Sequence, residues 1–498
     1  MIRSFDQEQY RHLPPSHPLT NRGVQAHIHR PRLRVSERRL LLLIADLILI
    51  NGALVMSLQW RAGYPTSPAF YGAVSKWFFT LTILWLGVAV FFDVYNLPRA
   101  SNLPETFRAT GGAVLVTVLL YTFIPVVTPP LQSRGQLFLF WGAALIGVLA
   151  WRGFYAGILG QPWYIQRALL VGAGASGREL AMALRERVET PNPFKATGTQ
   201  VVAFIDPNPA YVGRTVYGIP VLGGYTELTD VAQTLDTDEV VLVQDGNVPL
   251  SDAMVDAVLR CSELGMHVCS LAELYERILG RVPVLLVGNN LANVLDTREN
   301  PGERLTLAAK RLIDLMAGGL GLLVVALLAP LFWIINRVTS PGPLFYRQQR
   351  VGRAGESFLI FKFRTMIPDA EQQSGAVWSQ ENDPRVTPLG RWLRRLRLDE
   401  LPQCLNMVRG EMSLVGPRPE RPEFVDQLVI EVPFYRARHA VKPGLTGWAQ
   451  VHYSYGNSVD DARIKLEYDL YYVKHLSLFL DLRILVRTAN VVLRMKGL

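Results

Sequence analysis

Four apolar runs crowd the first third of this 498-residue chain, at Leu40–Trp60, Lys76–Phe92, Gly111–Thr128 and Leu137–Leu159. An apolar helix of about 20 residues matches the hydrocarbon core of a bilayer, where every backbone polar group must be satisfied within the segment. The runs therefore predict a four-helix transmembrane domain over residues 39–160. Asp46, Asn51 and Arg152 interrupt them, and such residues are tolerated near an end or against another helix rather than toward lipid. Ahead of the first run lies a basic tail, residues 1–38. Counted to Arg39, it sets eight arginines (Arg3, Arg11, Arg22, Arg30, Arg32, Arg34, Arg38, Arg39) against three acids. Positive charge stays on the cytoplasmic side, so four crossings return the chain to the cytoplasm before residue 165. The first run is too long for a signal-peptide core and no small-residue cleavage site precedes the second, so it is expected to be retained.

From Arg167 short β-branched runs alternate with helical stretches, which predicts a Rossmann-like middle domain over 165–300. "RALLVGAGASGREL" reads as strand, glycine turn and helix start. Gly172, Gly174 and Gly177 satisfy the Gly-x-Gly-x-x-Gly spacing that lays a pyrophosphate on a helix N-terminus. The acid closing the next strand, Asp206, comes well after the usual ~20-residue offset. Two readings stay open: a nucleotide site at these four residues, or glycines required only for a tight turn and close packing. Further strands are expected at "IPVLGG", "EVVLVQ" and "MHVCSL". The three cysteines, Cys261, Cys269 and Cys404, show no Cys-x-x-Cys or Cys/His metal spacing and read as reduced structural thiols.

A fifth apolar run, Leu315–Ile335, is basic at both ends, with Lys310 and Arg311 before it and Arg337 after it, and contains Pro330. An interior proline removes a hydrogen bond and bends the helix. Charge at both ends together with a bend predicts a re-entrant membrane hairpin over 312–338, leaving both ends in the cytoplasm.

Much of the formal charge of +9 follows residue 345. Arg347, Arg350, Arg353, Lys362 and Arg364 are succeeded by Arg391, Arg394, Arg395 and Arg397. Phe358, Phe361 and Phe363 alternate with polar residues as on a half-buried strand, which argues against nucleic acid and for a phosphate pocket lined by guanidinium groups. A cationic face on anionic lipid is the alternative for Arg394–Arg397. Within this basic surround stands the pair Asp399-Glu400. Neighbouring residues on a helix point about 100° apart, so the two cannot share a proton as a dyad does. One carboxylate could attack phosphorus while the other ligates magnesium, or Asp399 could simply cap a helix starting near Leu401 with Glu400 complementing its dipole.

Four ordered blocks, "KRLIDLMAGGLGLLVVALLAPLFWIINRVTSPGPLFYRQQRVGRAGESFLIFKFRTM", "LGRWLRRLRLDELPQCLNMVRGEMSLVGPRPE", "KPGLTGWAQV" and "LEYDLYYVKHLSLFLDLRIL", resemble the monotopic phosphoglycosyl transferases of the bacterial sugar transferase family. With the preceding helices and Rossmann-like region the chain resembles the large polyprenyl glycosylphosphotransferases. The resemblance implies a catalytic domain over 303–498 of α/β type. It implies transfer of sugar 1-phosphate from a UDP-sugar to undecaprenyl phosphate at the bacterial inner membrane, releasing UMP and starting polysaccharide assembly. UDP-glucose or UDP-galactose is the donor the large members suggest, and no residue decides between them. Asp399 then becomes the nucleophile and Glu400 the ligand of Mg2+ or Mn2+, with Asp399 beside it. Arg418 in "GPRP", Arg394 and Asp469 fall on matching family positions for substrate or phosphate binding, and Lys362 and Arg364 join them as cations of the phosphate pocket. Pro330 matches the hairpin proline, although the family commonly has Ser-Pro where this chain has Ala329-Pro330. Partners implied are the UDP-sugar, undecaprenyl phosphate, membrane lipid and a second copy of the chain as a homodimer. Two rivals are a membrane-tethered Rossmann-type oxidoreductase or dehydratase, against which stands the lack of any Tyr-x-x-x-Lys pair, and a non-enzymatic nucleotide-sensing scaffold.

Overall fold

The computed structural model describes residues 35–60, 67–123, 129, 133–159, 166–178, 180, 199–243, 251–285, 303–368, 370, 383–453 and 458–493. Most of the basic tail and the last residues expected of the third apolar run lie outside these. The chain divides into two compact units, Met1–Leu274 and Tyr275–Leu498.

In the first unit the apolar runs are helices α1 (Val35–Gln59), α2 (Ser75–Phe91), α3 (Leu103–Phe123) and α4 (Arg134–Phe154). Three of them are long and apolar enough to cross a membrane, and α2, at 17 residues, is shorter. Helix α3 starts earlier than its hydropathy suggested, because Pro104 opens it and Thr106, Thr110 and Thr117 are buried against neighbours. Leu54, Leu81, Trp85, Val118 and Phe140 form the shared core, while Ile48, Phe79, Phe138 and Ile146 face outward. The polar interruptions are turned inward. Asp46 pairs with Arg152, both fully buried, and Arg152 also donates to the Val94 carbonyl at 3.2 Å. Asn51 donates to Thr82 at 3.2 Å.

The same unit carries a six-stranded sheet of β1 (Gln166–Val171), β2 (Thr199–Ile205), β3 (Thr215–Val216), β4 (Ile219–Gly223), β5 (Glu239–Leu242) and β6 (His267–Ser270), in the order β3-β4-β2-β1-β5-β6. All pairings are parallel except β3 with β4. Helices α5 (Leu228–Thr234) and α6 (Asp252–Glu263) cover one face through Val231, Met254 and Cys261. The α6 repeat buries Met254, Ala257 and Cys261 at helical spacing. Helix α7 (Leu271–Leu279) follows β6 directly.

The second unit opens with α8 (Glu303–Thr339), a single helical run that continues through Pro330. Its two faces differ. Leu312, Met316, Leu320, Leu323, Leu327, Leu331, Ile334 and Val338 are exposed, and their three- and four-residue spacing makes one apolar stripe along nearly the whole helix. The opposite face is bound to the unit throughout. Lys310 pairs with Asp481 at 2.7 Å, Arg311 donates to the Met407 and Val408 carbonyls, and Asp314 accepts from Ser413 and Leu414. Farther along, Phe332 meets Phe363 edge-on and Asn336 bonds Gly342. Lys310 and Arg311, read from sequence as topology signals, are thus held by protein groups.

Hairpin β7 (Phe345–Val351) and β8 (Ser357–Phe363) follows, then α9 (Pro388–Arg395), α10 (Cys404–Arg409), β9 (Ser413–Val415), α11 (Pro422–Glu431), β10 (Gly444–Thr446), α12 (Trp448–His452), α13 (Val459–Lys474) and α14 (Leu478–Leu493). Strands β9 and β10 pair in parallel. Val282, Val284, Leu428, Tyr435, Leu466 and Leu470 make a core that includes residues upstream of α8.

Candidate active site

The acidic pair sits where three backbone features converge. Helix α9 begins with Pro388, and the Thr387 hydroxyl accepts from Gly390 N at 2.9 Å. Gly390 lies against the Thr365 backbone with no room for a Cβ, so α9 crosses the end of β8 closely. After α9, Arg397 takes a left-handed conformation, φ 58°, and turns the chain into a 3-10 segment, Leu398–Gln403. Asp399 and Glu400 are in this segment's first turn rather than at an α-helix cap. Three residues per turn separate successive side chains by roughly 120°, so the two carboxylates diverge as their adjacency required.

Both are 8% exposed, yet their surroundings differ. Glu400 Oε1 accepts from Arg418 at 2.8 Å and from Lys362 at 3.2 Å. Burial pushes the Glu400 carboxyl up, but Arg418 and Lys362 outweigh it and hold it far below the usual range. Asp399 has no hydrogen bond or ion pair with any described residue. Burial and the neighbouring Glu400 charge raise it, against a smaller opposing pull from Lys362, Arg394 and Arg418. Lys362, itself lowered by burial, lines a small cleft with Arg350, Glu400, Arg418, Pro419 and Gly444.

The loop carrying Arg418 is pinned at four successive carbonyls. Pro417 O accepts from Gly444 N at 2.8 Å, Arg418 O from Arg438 at 2.9 Å, Pro419 O from Arg350 at 3.2 Å and Glu420 O from Val351 N at 2.9 Å. Asp469, 1% exposed, pairs with Arg438 at 2.7 Å and so lies behind the loop rather than in the cleft. Arg364 is likewise placed away from the pair, bonding Asn336 at 2.9 Å and the Ser340 carbonyl at the end of α8. Arg394 bonds Thr365 Oγ1 at 2.9 Å and contributes charge near Asp399.

Sequence reasoning missed Arg438 and Asn406. Asn406, fully buried in α10, donates to Leu359 O at 2.7 Å and accepts from Phe361 N at 3.3 Å, tying the segment after the acidic pair to the strand that carries Lys362. Its signal was a lone amide inside the otherwise apolar "CLNMV", since a polar side chain is buried only where it is bonded.

Elsewhere, Asp206 is committed to the glycine turn: its Oδ2 accepts from Ala173 N at 2.7 Å and its Oδ1 from Asn208 N at 2.9 Å. Gly172 has φ 118°, and a Cβ there would meet the Val243 carbonyl at 2.8 Å. Gly177 packs on the Gly172 carbonyl with no room for a side chain. Turn geometry thus accounts for Gly172, Gly177 and Asp206, while Gly174 accepts from Arg178 N at 3.1 Å as the helix starts.

A buried carboxylate without a hydrogen-bond or ion-pair partner among the described residues, beside one clamped by two cations, is an arrangement suited to phosphoryl transfer. Residues 305–495 match the model described as bacterial sugar transferase, and residues 90–244 one described as CoA-binding domain. Across 430 residues the chain is 31% identical to a UDP-glucose:undecaprenyl-phosphate glucose-1-phosphate transferase of Xanthomonas campestris pv. campestris, covering 81% of this chain and 84% of the relative. The chain belongs to the bacterial sugar transferase family. This sugar transferase is also 40% identical over 238 residues to a UDP-N-acetylgalactosamine-undecaprenyl-phosphate N-acetylgalactosaminephosphotransferase of Aeromonas hydrophila, 47% of this chain but only 54% of that one. It is 27% identical over 489 residues to an undecaprenyl-phosphate galactose phosphotransferase of Salmonella typhimurium, 92% and 97% of the two chains. The three relatives are named for three different sugars. The Rossmann-like sheet of the first unit accords with the second matched model, and the long apolar helices mark the sugar transferase as a membrane protein.

The donor set suits the divalent cation such transferases generally need. Magnesium takes oxygen ligands and commonly one or two carboxylates plus substrate phosphates. Glu400, whose Oε2 is a hard oxygen donor, lines the cleft, while Asp399, its neighbour in the chain, does not line it and brings two more carboxylate oxygens next to it in sequence. Only Glu400 Oε1 is taken up by Arg418 and Lys362.

Proposed function

We propose that this sugar transferase moves a sugar 1-phosphate from a UDP-sugar to undecaprenyl phosphate in two displacements at Asp399. The observation that carries this reading is the asymmetry of the acidic pair: Glu400 is bound by Arg418 and Lys362, whereas the Asp399 oxygens have no hydrogen-bond or ion-pair partner among the described residues. An Asp399 oxygen attacks the β-phosphorus, the bond from that phosphorus to the bridging oxygen breaks, and UMP leaves with the electron pair. The sugar phosphate is then an acyl phosphate on Asp399. A phosphate oxygen of undecaprenyl phosphate next attacks the same phosphorus and returns the Asp399 carboxylate. Arg418, Lys362 and Arg350 face the cleft where phosphate oxygens gather charge, and their fixed positions favour the transition state. Mg2+ held by Glu400 and Asp399, with Mn2+ as substitute, would supply further charge stabilisation at those oxygens. Asp469 acts through Arg438 on the Arg418 loop.

We read residues 1–38 as cytoplasmic tail, 39–160 as a four-helix transmembrane bundle and 303–498 as the catalytic domain on the cytoplasmic face of the bacterial inner membrane. Helix α8 then enters and leaves on the same side. This is supported by its attachment to the second unit at both Lys310–Asp314 and Phe332–Asn336, and by its exposed apolar stripe. Cysteines at Leu305 and Thr339 should both resist an impermeant thiol reagent in intact cells, and labelling of one alone would refute the arrangement.

The decisive experiment measures UMP release from a panel of UDP-sugars with undecaprenyl phosphate and Mg2+. At least one donor should respond. Asp399→Asn should abolish both turnover and a sugar-phosphate adduct on the protein. Undiminished turnover in that variant would overturn the mechanism, and the donor that responds assigns the sugar.

A further inference from the structure

The sheet of the first unit assembles a mixed donor set that sequence spacing conceals. Strands β5 and β6 run parallel with Glu239 opposite His267 and Val241 opposite Cys269. Residues two apart on a strand point to the same face, so Glu239, His267 and Cys269 share one side of the sheet. Val240, Leu242 and Val268 take the other side, in the apolar core. The ligand-type atoms of the three residues all lie within 4.8 Å of one another, and His267 Nδ1 is 3.1 Å from Glu239 Oε1. Glu239 is 1% and Cys269 4% exposed, whereas the His267 side chain is 43% exposed. The set therefore has a dry floor and an open rim.

Donor chemistry narrows the ligand. Magnesium and calcium select oxygen, so a sulfur and an imidazole exclude them. Zinc accepts thiolate, imidazole and carboxylate together, at about 2.0–2.3 Å, and a tetrahedron with such bonds has edges of roughly 3.3–3.8 Å. Side-chain rotations of about 1 Å bring atoms within 4.8 Å to that spacing, and strand backbones need not move. Three protein ligands leave a fourth position on the His267 side for water or an outside ligand. Cys261, Cys269 and Cys404 form no disulfide.

We propose that Glu239, His267 and Cys269 form a binding site for zinc or a similar borderline-soft divalent transition metal, separate from the oxygen-donor centre at Asp399 and Glu400. The metal cross-links β5 to the edge strand β6. Because the catalytic pair supplies no sulfur, a thiolate signature distinguishes the two sites.

The test uses the full-length protein in detergent, stripped with a chelator and titrated with Co2+ as a spectroscopic substitute for zinc. A thiolate-to-cobalt charge-transfer band with tetrahedral d–d absorption should saturate at one equivalent per chain and disappear on adding Zn2+. Cys269→Ser should lack the band. His267→Gln should weaken binding by at least ~10-fold, the lower end of what outer-sphere changes alone cost at metal sites. Cys261→Ser, a buried thiol on α6 in the same unit, should leave the titration unchanged. The wild-type spectrum stands by itself if a variant misfolds: absence of a thiolate band there, or its survival in a folded Cys269→Ser protein, overturns the site.

Discussion

Burial alone would push the Asp399 and Glu400 carboxyls in the same direction, so their separation comes from what each touches. Glu400 meets Arg418 and Lys362, and its ionised form is secured. Asp399 feels the resulting negative charge next door and is raised. The signs for stability are opposite. Glu400 contributes stability above the ordinary glutamate range near ~4.3 that is lost as pH falls through its depressed value, whereas Asp399 ionised in the fold costs stability as pH rises through its raised value. A nucleophile must be ionised, so turnover should climb with pH through a limb lying above the usual aspartate range. In Glu400→Gln the like charge is gone while Lys362 and Arg418 remain, so the acidic limb of residual adduct formation should move to lower pH; an unmoved limb would mean Asp399 does not set it. Behind the loop, Asp469 is raised to about 6 by burial even with Arg438 beside it. Asp469→Asn leaves a buried guanidinium without its counter-ion, a change that costs about 3–5 kcal/mol in comparable sites. We expect a lowered Tm and a reduced kcat with donor KM little changed, because Arg418 shifts with its carbonyl anchor. A normal kcat in that variant would remove Asp469 from the positioning of Arg418.

At the scale of elements, what was legible in the sequence was hydropathy and local turn chemistry. Five apolar runs became five helices, and the glycine turn followed β1, because those signals are carried by residues close together in the chain. Partners distant in sequence were not legible: Lys310 finds Asp481, Asp314 finds Ser413, and Glu239 finds His267 across a strand pair. The acidic pair was recognisable by type, but its 3-10 turn depends on the left-handed Arg397, which nothing local announces. Gly318 and Gly321 show the same limit. Nothing in the apolar run itself marks them, yet they are where α8 approaches α10: a Cβ at Gly318 would lie 2.9 Å from Val408 Cγ2 and 3.2 Å from Cys404 O, and one at Gly321 would overlap the Cys404 sulfur. Since Cys404 directly follows the 3-10 segment, an extra methyl at residue 321 should displace the acidic pair. Overpacking of this kind typically costs about 1–3 kcal/mol. Gly321→Ala should lower kcat several-fold with membrane association intact, and Cys404→Ala, which removes the clashing sulfur, should restore part of it. No rescue in the double variant would place the defect elsewhere.

For the whole molecule the question is where the catalytic unit begins. The family resemblance implied a boundary at residue 303. The compact unit that holds the acidic pair starts earlier, at Tyr275. Glu276 on α7 pairs with Lys474 at 2.8 Å and His475 at 3.0 Å, Val282 N donates to Glu467 O at 2.9 Å, and Gly280 O accepts from the Trp448 indole at 2.7 Å. Val282 and Val284 are buried in the core with Leu466 and Leu470. Deleting these residues exposes that core and leaves the Trp448 indole without an acceptor, and burying a valine is worth about 1.5–3 kcal/mol. Among the described residues, 275–285 make no hydrogen bond or ion pair with Asp399 or Glu400, so the damage should fall on stability before chemistry. A chain starting at Leu271 should therefore transfer sugar phosphate in nanodiscs with a Tm near that of the same unit in the full protein, while one starting at Glu303 should be active only at lower temperature and unfold several degrees earlier. Equal thermal stability of the two truncated chains would show that residues 275–285 are an appendage. Inactivity of the longer one, folded and membrane-bound, with every donor the full chain uses would make the first unit part of the active site.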